Sequence, residues 1–194
     1  MKIVAGLGNP GKKYEGTPHN TGFEVADELS RLLSCDFRRS LRFKARIASG
    51  TGDGQDVLLV KPQTFMNRSG VSVSSVMRYR KLTPADLVIV VDDADLPLGR
   101  IRIRPNGGSG GHRGMASIIE SVGSSDFARV RIGVGHDERG RGLVQHVLSR
   151  FSAGERERIG PVIKRAAQAV MCIVSSGAET AMNEFNGLPP DQDI

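Results

Sequence analysis

A chain of 194 residues, 39% hydrophobic and 25% charged, is long enough to bury the core of an α/β domain and too apolar to be disordered. Its formal net charge of +6 suits a polyanionic partner. Cys35 and Cys172 stand far apart with no Cys-x-x-Cys, which excludes a disulfide framework and a cysteine zinc site. No apolar run has the length of a membrane span, and the N-terminal run is too short for a signal peptide, so a cytoplasmic protein is expected.

Lys2-Ile3-Val4-Ala5-Gly6-Leu7-Gly8 reads as a buried strand ending in glycine, and Asn9-Pro10-Gly11 as a tight turn. Thr17-Pro18-His19-Asn20 then delivers a histidine to the start of a helix predicted over residues 21–33. Val25, Ala26, Leu29, Leu32 and Leu33 form that helix's apolar stripe, and Thr21 with Glu24 matches a capping box. A helix N-terminus disfavours a protonated imidazole. His19 is therefore either a neutral base or a satisfied turn histidine, and this stretch alone does not separate the two.

Arg42 to Ala48 alternates basic and apolar residues and predicts a half-buried strand, with a hairpin turn over residues 50–54 and a returning strand from Asp56 to Val60. Pro62 ends that strand. Phe65 and Met66 fall in the following loop, either folded back as local core or forming a platform for a base. Asn67-Arg68-Ser69-Gly70 caps a helix that shows Val73, Val76 and Met77 at helical spacing.

Leu87-Val88-Ile89-Val90-Val91 is a continuous apolar run, as a strand covered on both faces requires. It ends in Asp92-Asp93-Ala94-Asp95, at the strand end where α/β folds place ligands. The run lacks the histidine partners of a metal site, so a single acid orienting a histidine is the simpler expectation. Arg100, Arg102 and Arg104 alternate with Ile101 and Ile103 on the next strand. Residues 106–114, glycine-rich and flanked by arginines, lead into a helix beginning near Met115, which predicts an anion site for a nucleic-acid phosphate. The Gly-Lys-Ser/Thr ending of a nucleotide loop is missing.

A strand over residues 129–135, a loop over 136–142 and a short helix over 143–151 follow. The last elements are a longer helix over 155–175 bent at Gly160-Pro161, a short helix over 178–185 and a fraying tail from 187. The reading is one α/β domain over residues 1–186, with residues 187–194 as tail.

Four blocks occur in order: Gly6-Leu7-Gly8-Asn9-Pro10-Gly11 with Tyr14 and Thr17-Pro18-His19-Asn20; residues 61–70; Asp92-Asp93-Ala94-Asp95-Leu96-Pro97; and residues 107–114. Together they closely resemble the bacterial-type peptidyl-tRNA hydrolases. The resemblance covers residues 3 to about 185. It implies a twisted mixed β-sheet between helices, a monomer, and hydrolysis of the ester between a peptide and the 3′-terminal adenosine of tRNA, with water and no cofactor. It also implies His19 as general base, Asp92 as its orienting acid, Asn9 as the residue that tells a blocked α-amino group from a free one, and Asn67 as a holder of the substrate end. Tyr14 and Phe65 would line the tRNA end, with Arg102, Arg104 and Arg131 as basic contacts. No serine elbow accompanies His19 and Asp92, which agrees with water as the nucleophile.

Two positions depart from the family pattern: Pro18 stands where arginine is usual, and Arg113 where asparagine is usual. Arginine cannot accept a hydrogen bond, so Arg113 can grip a phosphate or the terminal adenosine but cannot copy an amide. A non-catalytic RNA-binding relative is the alternative that Arg113 raises. A dinucleotide-binding oxidoreductase is the alternative raised by Gly6-x-Gly8-x-x-Gly11.

Overall fold

The computed structural model describes residues 1–136 and 142–187. Strands β1 (Lys2–Gly6), β2 (Arg38–Ser40), β3 (Ala45–Gly52), β4 (Gln55–Pro62), β5 (Leu87–Asp93), β6 (Ile101–Arg104) and β7 (Ala128–Gly133) form one mixed sheet. Its order is β2-β3-β4-β1-β5-β7-β6. The inner run β4-β1-β5-β7 is parallel, whereas β2-β3-β4 and β7-β6 pair antiparallel.

Helices α1 (Thr21–Leu32), α5 (Ala153–Ser176) and α6 (Ala178–Phe185) cover one face, and α2 (Ser69–Arg80) and α3 (Arg113–Val122) the other; α4 (Leu143–Leu148) lies near the rim. Strand periodicity explains the two layers. Val4, Val57, Leu59, Val88 and Val90 point to the α1/α5 core, and Ile3, Ala5, Leu58, Val60, Ile89 and Val91 to the α2/α3 core. Every residue of β5 is buried, as its unbroken apolar run requires.

Local differences from expectation have local causes. Thr21 does not cap α1; its Oγ1 donates to the Pro18 carbonyl at 2.9 Å, and the N-cap position falls to Asn20. Glu24 pairs instead with Arg156 of α5. Leu32, placed in the α1 stripe by spacing, is exposed. Arg42, Phe43 and Lys44 form the turn between β2 and β3, so their alternation with neighbours did not mark a strand. The β3–β4 hairpin closes on Asp53 (φ 50) and Gly54 (φ 74), the two-residue turn whose twist matches the strands, while Gly50 and Gly52 stay in β3. Helix α5 is continuous through Pro161. The tail beyond 187 and most of the 136–142 loop lie outside the described residues. Among the described residues, no helix is long and apolar enough to cross a membrane.

Candidate active site

Three parallel strands deliver the site, all from their carboxyl ends. β1 leads to Asn9 and, through the Pro18–Asn20 turn, to His19; β4 leads to Phe65, Met66 and Asn67; β5 ends in Asp92 and Asp93. Close helix–sheet approach at two glycines makes this possible. A Cβ on Gly22 would lie 2.5 Å from the Leu7 backbone, and one on Gly6 2.1 Å from the Gly22 carbonyl. Helix α1 therefore starts directly on the sheet, with His19 just ahead of it.

Asn20 ties the histidine turn to the β1 loop. Its Oδ1 accepts the Asn9 N–H at 2.8 Å and its Nδ2 donates to the Asn9 carbonyl at 3.0 Å. The Asn9 side chain is set in turn, because its Oδ1 accepts the Met66 N–H at 2.8 Å. That leaves Nδ2 as the donor Asn9 offers to the cavity it lines.

Asp92 is the hub. Its Oδ2 and Oδ1 lie 2.8 and 3.0 Å from His19 Nδ1, and Oδ1 lies 3.1 Å from His112 Nε2. Burial alone would push this carboxyl up. The imidazole of His112, then that of His19, outweighs burial and holds the group well below the usual carboxylate range. An ionised carboxylate only accepts, so both facing nitrogens carry protons, and His19 Nε2 is left with a free lone pair. The His19 side chain keeps 14% of its surface exposed against 3% for Asp92, so the base reaches the cavity while its partner does not.

His112 was singled out by no sequence argument, yet it does two things. Its Nδ1 accepts the N–H groups of Gly114 and Met115 at 3.1 and 3.2 Å, capping α3, and its Nε2–H donates to Asp92. The sequence signal was slight: a histidine one residue before a helix, in a position where Ser, Thr, Asp and Asn are the usual caps. The same bonds revise the anion site expected at the head of α3, since two of that helix's first amides are already taken. The trio His19, Asp92 and His112 brings its ligand atoms within 4.8 Å of one another, and the same bonds engage those atoms with one another and with backbone amides. Both nitrogens facing Asp92 are protonated, and the second nitrogen of His112 is occupied by backbone donors.

These groups line a cavity of about 880 Å³, shared with Tyr14, Phe65, Asn67, Arg104, Arg113 and Arg131. Asn67 and Phe65 are exposed, and Met66 is core. Arg113 opens α3, against the helix dipole, with its side chain exposed. Arg102 is not part of the cavity wall; it sits opposite Arg131 on the edge strand β6, as Arg104 sits opposite Arg129. Arg131 pairs with Asp93. Arg129, also missed in the sequence, is buried and donates to the carbonyls of Gly107, Gly108, Ser125 and Phe127, which pins the glycine-rich loop. Burial, then the neighbouring Arg131, lowers its pKa.

Gly6-x-Gly8-x-x-Gly11 does not open into a helix packed on the sheet; a single 3-10 turn, Lys12–Tyr14, follows it. The dinucleotide reading falls on that ground. A family model for peptidyl-tRNA hydrolase matches residues 3–193. The chain belongs to the peptidyl-tRNA hydrolase family. The peptidyl-tRNA hydrolase of Caldanaerobacter subterraneus subsp. tengcongensis is 51% identical over 187 residues, 96% of this chain and 100% of that protein. That of Halalkalibacterium halodurans is 45% identical over 188 residues, again 96% and 100%. The crystal structure of peptidyl-tRNA hydrolase from Acinetobacter baumannii matches with a TM-score of 0.91 at 33% identity, covering 96% of this chain and 95% of that one. The mixed sheet between helix layers is thus the fold of a peptidyl-tRNA hydrolase.

Proposed function

We propose that this chain hydrolyses the ester joining a peptide, or an N-blocked aminoacyl group, to the 3′-terminal adenosine of tRNA. The observation that carries the reading is the buried Asp92 held between two imidazole N–H groups, which leaves His19 Nε2 as a base at the cavity. His19 Nε2 takes a proton from water as the oxygen attacks the ester carbonyl. Asp92 stabilises the imidazolium that forms. The tetrahedral intermediate collapses, the ribose oxygen leaves, and the imidazolium returns the proton to it.

Asn9 Nδ2 donates to the carbonyl of the blocked amino group. A free α-ammonium has no acceptor to offer that donor, which gives the preference for blocked esters a physical basis. Asn67 holds the substrate end, Tyr14 and Phe65 line the tRNA terminus, and Arg102, Arg104, Arg113 and Arg131 attract its phosphates. The proposal includes residues 1–186 acting as one domain, as a cytoplasmic monomer without a cofactor or metal.

The test is release of N-acetylamino acid from N-acetylaminoacyl-tRNA, with free aminoacyl-tRNA alongside. Cleavage of the blocked ester, lost by about 10²–10⁴-fold in His19→Ala, is the expected outcome. Well-folded protein that binds tRNA and cleaves nothing would overturn the reading and favour an RNA-binding relative.

A further inference from the structure

A second, smaller pocket lies beside the catalytic cavity and shares Phe65 with it. Its volume is about 210 Å³. That is below the range of about 300–1,000 Å³ typical of sites that bury a whole small molecule. It suits one group of a ligand whose remainder lies elsewhere.

Its chemistry is one-sided. Lys44 and Arg68 line it and no carboxylate does. Among the described residues neither side chain has an ion pair or hydrogen bond, although both are cationic. The wall also holds Thr64, whose buried Oγ1 has no hydrogen-bond partner, a cost that a ligand oxygen can offset.

The placement of Lys44 is specific. It adopts φ 48, a left-handed conformation that costs a lysine more than a glycine. Its N–H donates to the Leu41 carbonyl, and its own carbonyl accepts the Gln63 N–H at 2.7 Å, which holds the turn over the end of β4. Arg68 comes from a different element, the residue just before α2, so two separate segments each bring a cation to the pocket. The surrounding hairpin carries Arg38, Arg39, Arg42 and Arg46 and no acid from Phe37 to Gly52.

We propose that Lys44 and Arg68 bind a phosphate of the two cytidines that precede the terminal adenosine, with Phe65 as the divider between that phosphate and the aminoacyl end. The proposal rests on the substrate reading above. The terminal nucleoside occupies the larger cavity, the chain passes over Phe65, and the next phosphodiester enters the smaller pocket. Single-stranded RNA is bound in this manner elsewhere, by cations that follow the backbone and aromatics that meet the bases.

The test compares cleavage of one N-acetylaminoacyl group carried on adenosine, on the trinucleotide CCA and on full tRNA. The enzymes are the parent chain, Lys44→Ala, Lys44→Glu and Arg68→Ala, with Lys164→Ala on the far face as a charge control. The expected result is that kcat/KM for the CCA ester falls about tenfold more than for the adenosine ester in each pocket variant. The salt slope of CCA binding should shrink by about 0.7, and Lys164→Ala should leave the ratio unchanged. Equal losses on both esters, or no loss, would overturn the proposal. Lys44→Glu keeps it testable should Arg68→Ala disturb neighbouring Asn67. Titration with unesterified CCA reads the pocket without turnover. Cleavage of none of the esters by the parent chain therefore counts against the activity, whereas undiminished CCA binding by Lys44→Glu counts against the pocket.

Discussion

Asp92 accepts from two imidazoles, and the two bonds have separable effects. Asp92→Asn preserves shape but removes the negative charge that stabilises the imidazolium, and it replaces either Oδ2, 2.8 Å from His19 Nδ1, or the neighbouring oxygen with a donor, so kcat should fall on the order of a thousandfold. Stability should respond to pH with a definite sign. The carboxyl is depressed in the folded state, so its contribution is complete above the unfolded value of about 3.9 and drains as pH falls from there toward the lower folded value. The stability gap between the parent chain and Asp92→Asn, measured by denaturant titration, should hold from pH 6 to about pH 4 and narrow as pH falls below that; a gap that stays constant down to about pH 2 would refute the linkage. His112 separates cap from relay. His112→Ala should cost about 1–2 kcal/mol through the lost cap, and His112→Asn should restore most of that but none of the turnover. Recovery of kcat in His112→Asn would show that the bond to Asp92 is idle. At this scale the sequence was half legible. His19 and Asp92 stood at a helix mouth and a strand end, where chemistry is placed. His112 and Asn20 did not announce themselves, because their partners are a carboxylate 20 residues away and a backbone amide 11 residues away.

Helix α1 reaches the sheet only because Gly22 has no side chain. Gly22→Ala would drive a methyl against Leu7 and the Val90 carbonyl, 2.6 Å away, so α1 must lift and carry the His19 turn with it. The expected cost is about 1–3 kcal/mol of stability, with a drop in kcat. Gly154→Ala in α5, where a Cβ meets nothing within 4 Å, should instead be neutral or stabilising by up to about 1 kcal/mol. If both substitutions behave alike, close packing under α1 is not what positions the base. Elements with clear local patterns were readable: β1, β5 and α6 lie where their residues put them. The β2–β3 turn was not, because Arg42 and Phe43 alternate like a strand while their side chains pack on Tyr79, with Arg42 4.1 Å over its ring. Contact with Tyr79 of α2, and not local period, decided that segment.

Across the whole molecule, charge is gathered where the sheet is least protected. Arg102 faces Arg131 and Arg104 faces Arg129, two like-charged cross-strand pairs that a sheet alone would disfavour. Arg131 is offset by Asp93 and Arg129 by backbone carbonyls, so repulsion is left on the edge strand. Arg102→Thr should therefore raise stability slightly, by up to about 1 kcal/mol. It should also weaken tRNA binding and cut its salt slope by roughly one unit. A salt titration of tRNA affinity beside a thermal melt checks both. An unchanged slope would leave these arginines as solvated surface charge.

The order of the chain along the fold has a consequence for its own birth. Every residue assigned to the chemistry, from Asn9 to His112, precedes α5 in the chain, yet α5 supplies much of the core on the α1 side of the sheet. A ribosome therefore finishes the reactive groups well before it makes the helix that completes that core. Until that helix emerges, α1 is the one helix of that face already in place, and the core around it stays open to water. While it is being made, this chain is itself a peptide esterified to tRNA, the bond the finished enzyme is proposed to cut. The site is therefore expected to become competent only after α5 has been made.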